Sequence, residues 1–297
     1  MSGKHDGELS PAASQAPLEE RIVAALSGLS RKQKEIARFV LDNQEIVAFS
    51  SASELGGRTD SSAATVVRFC QALGYKGYID LQSAVRDQVS RQWPAVRRFQ
   101  ERLDNPLPKE DLVARAFSTD IQNIERTAEL TAGDRLQAAA GEIRRARQIL
   151  VVGGGLTSTV VGFFAHALQV IGLPVQCVAG GGEPLALALA FLRPDDVVIG
   201  VGFWRNLRDV VQAIEQAQEI GATTIGITDS RLSPLARLPD HHFLVATSGV
   251  AHNLSPVATL SLLNTLVATL SFDMPERVVE SLHMVDEAYR RSGLLAE

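Results

Sequence analysis

The run Ile149-Leu150-Val151-Val152-Gly153-Gly154-Gly155-Leu156-Thr157-Ser158 decides the fold of most of this chain. Four consecutive apolar residues, three of them β-branched, read as a strand buried on both faces, and the glycines that follow read as a tight turn into a helix. Working downstream, the same alternation repeats. Strand-like runs occur at Pro174–Val178, Val197–Val201, Thr223–Thr228 and Phe243–Ala246, separated by helical stretches that reach Ile171, Leu192 and Ile220. Apolar strands alternating with helices imply a doubly wound parallel sheet covered on both faces. Ligands of such sheets bind at the carboxyl ends of the strands, where strand order reverses; in a flavodoxin-like order these are the loops after the first and third strands.

The first of those loops, Gly153–Ser158, suits an anion. Glycines bring backbone N–H groups close, a helix N-terminus adds partial positive charge, and Thr157 and Ser158 carry hydroxyls. Gly154, Gly155, Thr157 and Ser158 are the candidate ligand contacts here. A dinucleotide-binding turn is the competing reading, but its GxGxxG pattern fails at Ser158, and no acidic residue closes the strand ending at Val178 to hold a ribose. The plainest alternative is that the glycines serve the turn alone.

Upstream of the sheet, residues 110–147 read as helical, with Leu112, Ala116, Phe117, Ile121 and Ile124 at amphipathic spacing. Trp93-Pro94 and Asn105-Pro106-Leu107-Pro108 punctuate a charged stretch, which places a domain boundary near 95–110. The expected organisation is a disordered tail (1–17), a small helical domain (18–95), a linker (96–110) and the α/β domain (111–297). A length of 297 residues agrees with two cores, and 45% hydrophobic with 21% charged residues is ordinary globular composition.

The helical domain carries its own punctuation. Ser30 with Gln33 forms a capping-box pattern ahead of a helix over Arg31–Asp42, and Ser51 with Glu54 repeats it ahead of a short helix ending near Gly56-Gly57. A third helix over Ser62–Leu73 follows Asp60 and Ser61, either of which can cap it. Val66, Cys70 and Leu73 mark its inner face. The opposite stripe of Ser61, Thr65, Arg68 and Ala72 is small, hydroxylated and cationic, as a helix entering a DNA groove requires. An ordinary helical hairpin would look much the same.

Charge favours the nucleic-acid reading locally. The whole chain is at −5, yet residues 29–98 hold 11 Lys and Arg against 7 Asp and Glu. The longest apolar run, Leu185–Leu192, is far short of the ~20 residues of a membrane span. Two cysteines, Cys70 and Cys177, one per domain, offer no metal-ligand spacing and point to a reducing cytoplasm. Neither a cofactor nor a metal is expected.

The segment Ala64-Thr65-Val66-Val67-Arg68-Phe69-Cys70-Gln71-Ala72-Leu73-Gly74-Tyr75-Lys76-Gly77-Tyr78 closely resembles the recognition-helix region of the RpiR-type transcriptional regulators. Residues 18–95 follow that family's layout, with Ser61 standing where a hydrophobic residue usually precedes the capping serine. The α/β region resembles the SIS (sugar isomerase) fold that these regulators carry behind their DNA-binding domain. That likeness covers about residues 130–272, through Ile171-Gly172, Asp195-Asp196-Val197-Val198-Ile199, Ile227-Thr228-Asp229 and Ser233-Pro234-Leu235-Ala236. The resemblance implies an all-α helix-turn-helix domain followed by an α/β domain that senses a small anionic metabolite, a phosphosugar or sugar acid, and controls operator DNA binding. Ser61, Ser62, Thr65, Arg68 and Lys76 are the expected DNA contacts, and because one small head offers too little contact for tight specific binding, the expected protein is a homodimer or homotetramer and its operator an inverted repeat.

One departure stands out. Where phosphosugar-binding relatives have a Ser-x-Ser-Gly-x-Thr loop, this chain has Gly202-Phe203-Trp204-Arg205-Asn206-Leu207, without a hydroxyl. Arg205 and Arg208 can supply guanidinium forks instead, with Asn206 beside them. His252, Asn253 and Ser255 open the last expected helix and can reach the crevice from a neighbouring subunit; Ser255 is a ligand candidate, whereas His166 reads as packing. The stretch Val257–Phe272 suits a buried helix, in a dimer interface or in plain core. An aldose-ketose isomerase with an accessory helical domain is the alternative function, with Glu183 and His252 as the candidate bases. A pure assembly module is a third.

Overall fold

A computed structural model describes residues 18–92, 95–104, 108, 111–204 and 206–293. The expected tail, 1–17, and Arg205 lie outside these residues. The chain divides into two compact units at Pro94/Ala95.

The first unit is helical: α1 (Leu18–Ala25), α2 (Arg31–Asp42), α3 (Gln44–Phe49), α4 (Ala52–Arg58), α5 (Ala63–Ala72) and α6 (Tyr78–Gln92). Both capping boxes form. Ser30 Oγ accepts the Gln33 N–H while Gln33 returns a bond to the Ser30 N–H, and Ser51 and Glu54 do likewise. Each satisfies two of the helix's unpaired N–H groups. The core is built from Ile36 and Val40 of α2, Leu55 of α4 and Val66, Phe69 and Cys70 of α5, all fully buried. Tyr78 ties α6 down, its hydroxyl donating to the Ser50 carbonyl at 2.7 Å. The short helix α4 runs through Gly56-Gly57 to Arg58, and the residue that caps α5 is Ser62, not Asp60 or Ser61. Asp60 turns the chain instead, in the left-handed region at φ 48°, which Asp tolerates better than most side chains.

The second unit contains α7 (Ala95–Asp104), α8 (Leu112–Leu130), α9 (Gly133–Arg145), β1 (Ile149–Val152), α10 (Thr157–Val170), β2 (Val175–Val178), α11 (Glu183–Ala190), β3 (Val197–Gly202), α12 (Arg208–Ile220), β4 (Thr223–Thr228), α13 (Pro234–Arg237), β5 (His241–Leu244), α14 (Val257–Asp273) and α15 (Pro275–Ser292). All strands are parallel in the order β2-β1-β3-β4-β5, so the order reverses between β1 and β3. Alternate residues feed two cores. Ile149, Val151, Ile199, Ile225 and Ile227 pack with α9, α10 and α14, while Leu150, Val152 and Val198 pack with α11 and α12. The doubly wound sheet read from the sequence is therefore the observed one.

Several expectations need correction. The span read as a linker holds helix α7, which belongs to the second unit. Within the span read as helical, the chain forms two helices, Leu112–Leu130 and Gly133–Arg145, broken at Thr131-Ala132. The last strand is His241–Leu244 because its pairing with β4 starts at His241 opposite Ile225; the apolar signal at 243–246 reflects Val245 and Ala246, buried beyond the strand's end. The stretch at Val257–Phe272 forms α14 and is followed by one more helix, α15; its Leu262, Leu263 and Leu266 are core. His166, read as a packing residue, is exposed on α10.

On α8 the apolar stripe read from the sequence faces outward: Phe117 is 69% and Ile121 54% exposed, and Leu112, Val113 and Ile124 are exposed too. Buried instead are Asn123 and Thr127. Asn123 donates to the Ser248 carbonyl at 2.8 Å and accepts its N–H at 3.1 Å, and Thr127 Oγ1 accepts the Ala246 N–H at 2.9 Å. Polar residues point inward because the chain leaving β5 has open backbone groups that would otherwise be buried unpaired.

Candidate functional site

Two surfaces carry the residues singled out by sequence. On α5, Val66, Phe69 and Cys70 are buried while Ser62, Arg68, Gln71 and Ala72 are exposed and Thr65 is half-buried. Ser62 Oγ accepts the Thr65 N–H at 3.2 Å and lies 3.0 Å from Thr65 Oγ1, which in turn accepts from Arg68 at 3.3 Å. A line of hydrogen bonds thus runs along the outer face and holds the Arg68 guanidinium. Ser61 sits in the preceding turn, 2.8 Å from Thr59 Oγ1. Lys76 is exposed in the turn before α6, its N–H donating to Asp80 at 2.9 Å. Cys70 packs behind this face. Burial pushes its thiol up to about 12, so it carries no thiolate at neutral pH.

In the second unit a cavity of about 230 Å³ opens at the strand-order reversal. Gly154, Gly155 and Thr157 line it from the glycine loop, Phe203, Trp204 and Leu207 from the loop after β3 as an apolar wall, and Arg98, Asn253 and Leu254 from α7 and the segment before α14. Ser158, Asn206, Arg208 and Ser255 are not among its described lining residues. The Thr157 hydroxyl is engaged internally, donating to the Val201 carbonyl at 3.0 Å and accepting the Gly154 N–H at 3.0 Å. Ser158 Oγ donates to the Gly155 carbonyl at 2.7 Å. Ser255 donates to Asp120 at 2.5 Å and Asn206 accepts from Ser233 at 2.9 Å, so both tie elements of the fold together. Arg208 is exposed at the first residue of α12. Glu183 and His252 are exposed. Among the described residues no group of three or more His, Cys, Asp or Glu could hold a metal ion.

The wall is pinned. Trp204 adopts φ 41°, an uncommon conformation for a bulky side chain that costs roughly 1–3 kcal/mol. Its N–H donates to buried Asp229 at 2.8 Å, and the other Asp229 oxygen accepts from Thr247 at 3.0 Å. Leu207 closes over the glycine loop so tightly that a Cβ at Gly154 would lie 2.5 Å from its Cδ1. Arg98, from α7, was missed by sequence reasoning. Its guanidinium lies 4.7 Å from the centre of the Trp204 ring and donates to the His252 carbonyl at 3.0 and 2.7 Å.

Comparison with known proteins adds identity to this geometry. Residues 16–92 match the helix-turn-helix domain model of the rpiR family, and residues 142–271 match the SIS domain model. The sugar isomerase domain of an RpiR transcription factor from Sphaerobacter thermophilus is 40% identical over 60% of this chain and 99% of that one, with a TM-score of 0.58. The chain belongs to the RpiR family of transcriptional regulators. An uncharacterized HTH-type transcriptional regulator from Caldanaerobacter subterraneus is 27% identical over 86% of this chain and 92% of its own. The Vibrio vulnificus NanR protein, solved in complex with ManNAc-6P, is 24% identical over 94% of this chain and all of that one, with a TM-score of 0.59; it shares the fold. This RpiR-family chain is thus a helix-turn-helix regulator with an SIS domain, and the cavity lies where the loops after β1 and β3 meet, at the reversal of strand order in that domain's sheet.

Proposed function

We propose that this RpiR-type regulator reads an inverted-repeat operator through α5, with Ser61, Ser62, Thr65, Arg68 and Lys76 facing the duplex, and that a small anionic metabolite in the SIS crevice changes its operator affinity. The observation that carries the DNA contact is the two-sidedness of α5: one face fully buried in apolar core, the other a hydrogen-bonded row of Ser62, Thr65 and Arg68. Short side chains there allow close approach to a groove, and a held guanidinium loses less freedom on binding a guanine edge or a phosphate. The crevice reading rests on Gly154 and Gly155 at a helix start, on Arg98, and on the ligand seen in NanR. Arg205 and Arg208 border the same loop and can contribute. Such control requires the effector to bind two states of the protein unequally. The relatives' names, HTH-type transcriptional regulators, favour a regulator over an enzyme, and reading DNA is work for the cytoplasm; among the described residues no single helix is long and apolar enough to cross a membrane.

Fluorescence anisotropy on a selected operator duplex tests this reading. An anion that occupies the crevice is expected to shift the operator Kd at least fivefold at fixed salt, since coupling between sites is typically worth ~1–3 kcal/mol. A panel of small anions that leaves the Kd unchanged removes the effector from the proposal.

The same reading includes a second copy of the chain. The outward stripe of Val113, Phe117, Ile121 and Ile124 on α8 is apolar and uncovered, which in a monomeric protein is a liability and in an oligomer an interface. Light scattering at micromolar concentration is expected to give at least twice 32.0 kDa for the wild type and a smaller species for Phe117→Glu. A wild-type mass near 32.0 kDa would remove the homodimer or homotetramer, and with it the symmetric operator.

A further inference from the structure

We infer that the crevice accepts a small monoanion with an apolar body, a carboxylate on an aromatic or branched aliphatic frame, rather than a polyhydroxylated sugar phosphate. The inference rests on the effector reading above and names the class of that effector. Its basis is the supply of polar groups. The Thr157 and Ser158 hydroxyls are both committed to backbone carbonyls, at 3.0 and 2.7 Å. The loop after β3, where hydroxyls would hold a phosphate, presents Phe203, Trp204 and Leu207 instead. A sugar phosphate would bring several hydroxyls against this wall with few partners, and each polar group buried without one weakens binding.

Charge and volume select in the same direction. Arg98 is the one cation among the described lining residues, and its guanidinium is fixed over the Trp204 ring and against the His252 carbonyl. A guanidinium held in this way is a bidentate partner for a carboxylate, and the apolar wall beside it suits a ligand with one charged end on a hydrocarbon body. Leu207 packs against Gly154, where a Cβ would stand 2.5 Å from its Cδ1, and the Gly154 N–H is itself taken by Thr157 Oγ1 at 3.0 Å. At about 230 Å³ the cavity is smaller than the ~300–1,000 Å³ typical of drug-sized ligands, so its occupant is compact.

The test is calorimetric titration of the full-length protein with benzoate, phenylpyruvate and 4-methyl-2-oxopentanoate on one side, and glucose 6-phosphate, ribose 5-phosphate and ManNAc-6P on the other. At least one carboxylate is expected to bind more tightly than every sugar phosphate, and benzyl alcohol, which lacks the charge, not to bind. Arg98→Gln should weaken the bound carboxylate tenfold or more, with Arg98→Lys recovering part of the loss. Leu207→Thr returns a hydroxyl to the loop without touching Arg98, and should shift preference toward the sugar phosphates. A sugar phosphate that binds the wild type best overturns the ligand class and leaves the effector reading standing. Silence from all six anions overturns both. Unchanged carboxylate affinity in Arg98→Gln overturns the charge partner, and with it the assignment.

Discussion

Arg68→Ala is expected to lower operator affinity about ten- to a hundredfold, because a good guanidinium contact to a base edge is worth ~1–3 kcal/mol and each 1.4 kcal/mol is tenfold. Thr65→Ala should weaken binding too, less steeply, since Thr65 both faces outward and holds the Arg68 guanidinium at 3.3 Å. Neither change touches the core under α5, so far-ultraviolet circular dichroism and melting temperature should stay at wild-type values. The salt series separates two kinds of contact. If Arg68 meets a phosphate, its loss lowers the slope of log K against log salt by about one and affects all duplexes alike; if it reads a base, discrimination at that base pair is what collapses. Two variants that bind as tightly as wild type at one salt concentration would show that α5 is not the reading helix.

Gly226→Ala should have the largest effect on stability. Gly226 lies in β4, paired with Gly200 of β3, and a Cβ there would stand 1.9 Å from the Leu235 carbonyl oxygen and 2.8 Å from Pro239 Cγ. The obstruction is the backbone of α13, which no rotamer change can move. Overpacking a core commonly costs ~1–3 kcal/mol, and a clash with backbone belongs at or above the top of that range. For a unit of this size ~3 kcal/mol corresponds to a fall of roughly 6–12 °C in the melting of the α/β unit. Calorimetry reads it directly, and an unchanged melting temperature would mean that α13 can leave the sheet at little cost.

How much of this was legible in the sequence follows from the range of the interactions involved. The capping boxes at Ser30 and Ser51 and the strands Ile149–Val152 and Thr223–Thr228 are decided within a few residues, and the sequence reading matched them. The inward face of α8 was not legible because its buried residues, Asn123 and Thr127, serve backbone groups more than a hundred positions away, and an amphipathic pattern does not reveal which side meets a partner. Arg98 was missed for a related reason: a charged segment between prolines reads as linker, and only the folded chain brings it to Trp204. The glycine loop was located correctly at the strand reversal. That its hydroxyls are turned to their own carbonyls, and that Leu207 lies over Gly154, are facts of rotamer and loop packing that spacing does not encode.

Selection of binding sites from a pool of random duplexes by the full-length protein, followed by sequencing, tests the DNA-reading assignment most directly. The expected result is one enriched inverted repeat, with half-sites centred about one helical turn, or a multiple of it, apart, and loss of that enrichment in Arg68→Ala. Recovery of no preferred sequence by the wild type, or the same repeat at the same strength from the Arg68→Ala variant, would contradict it.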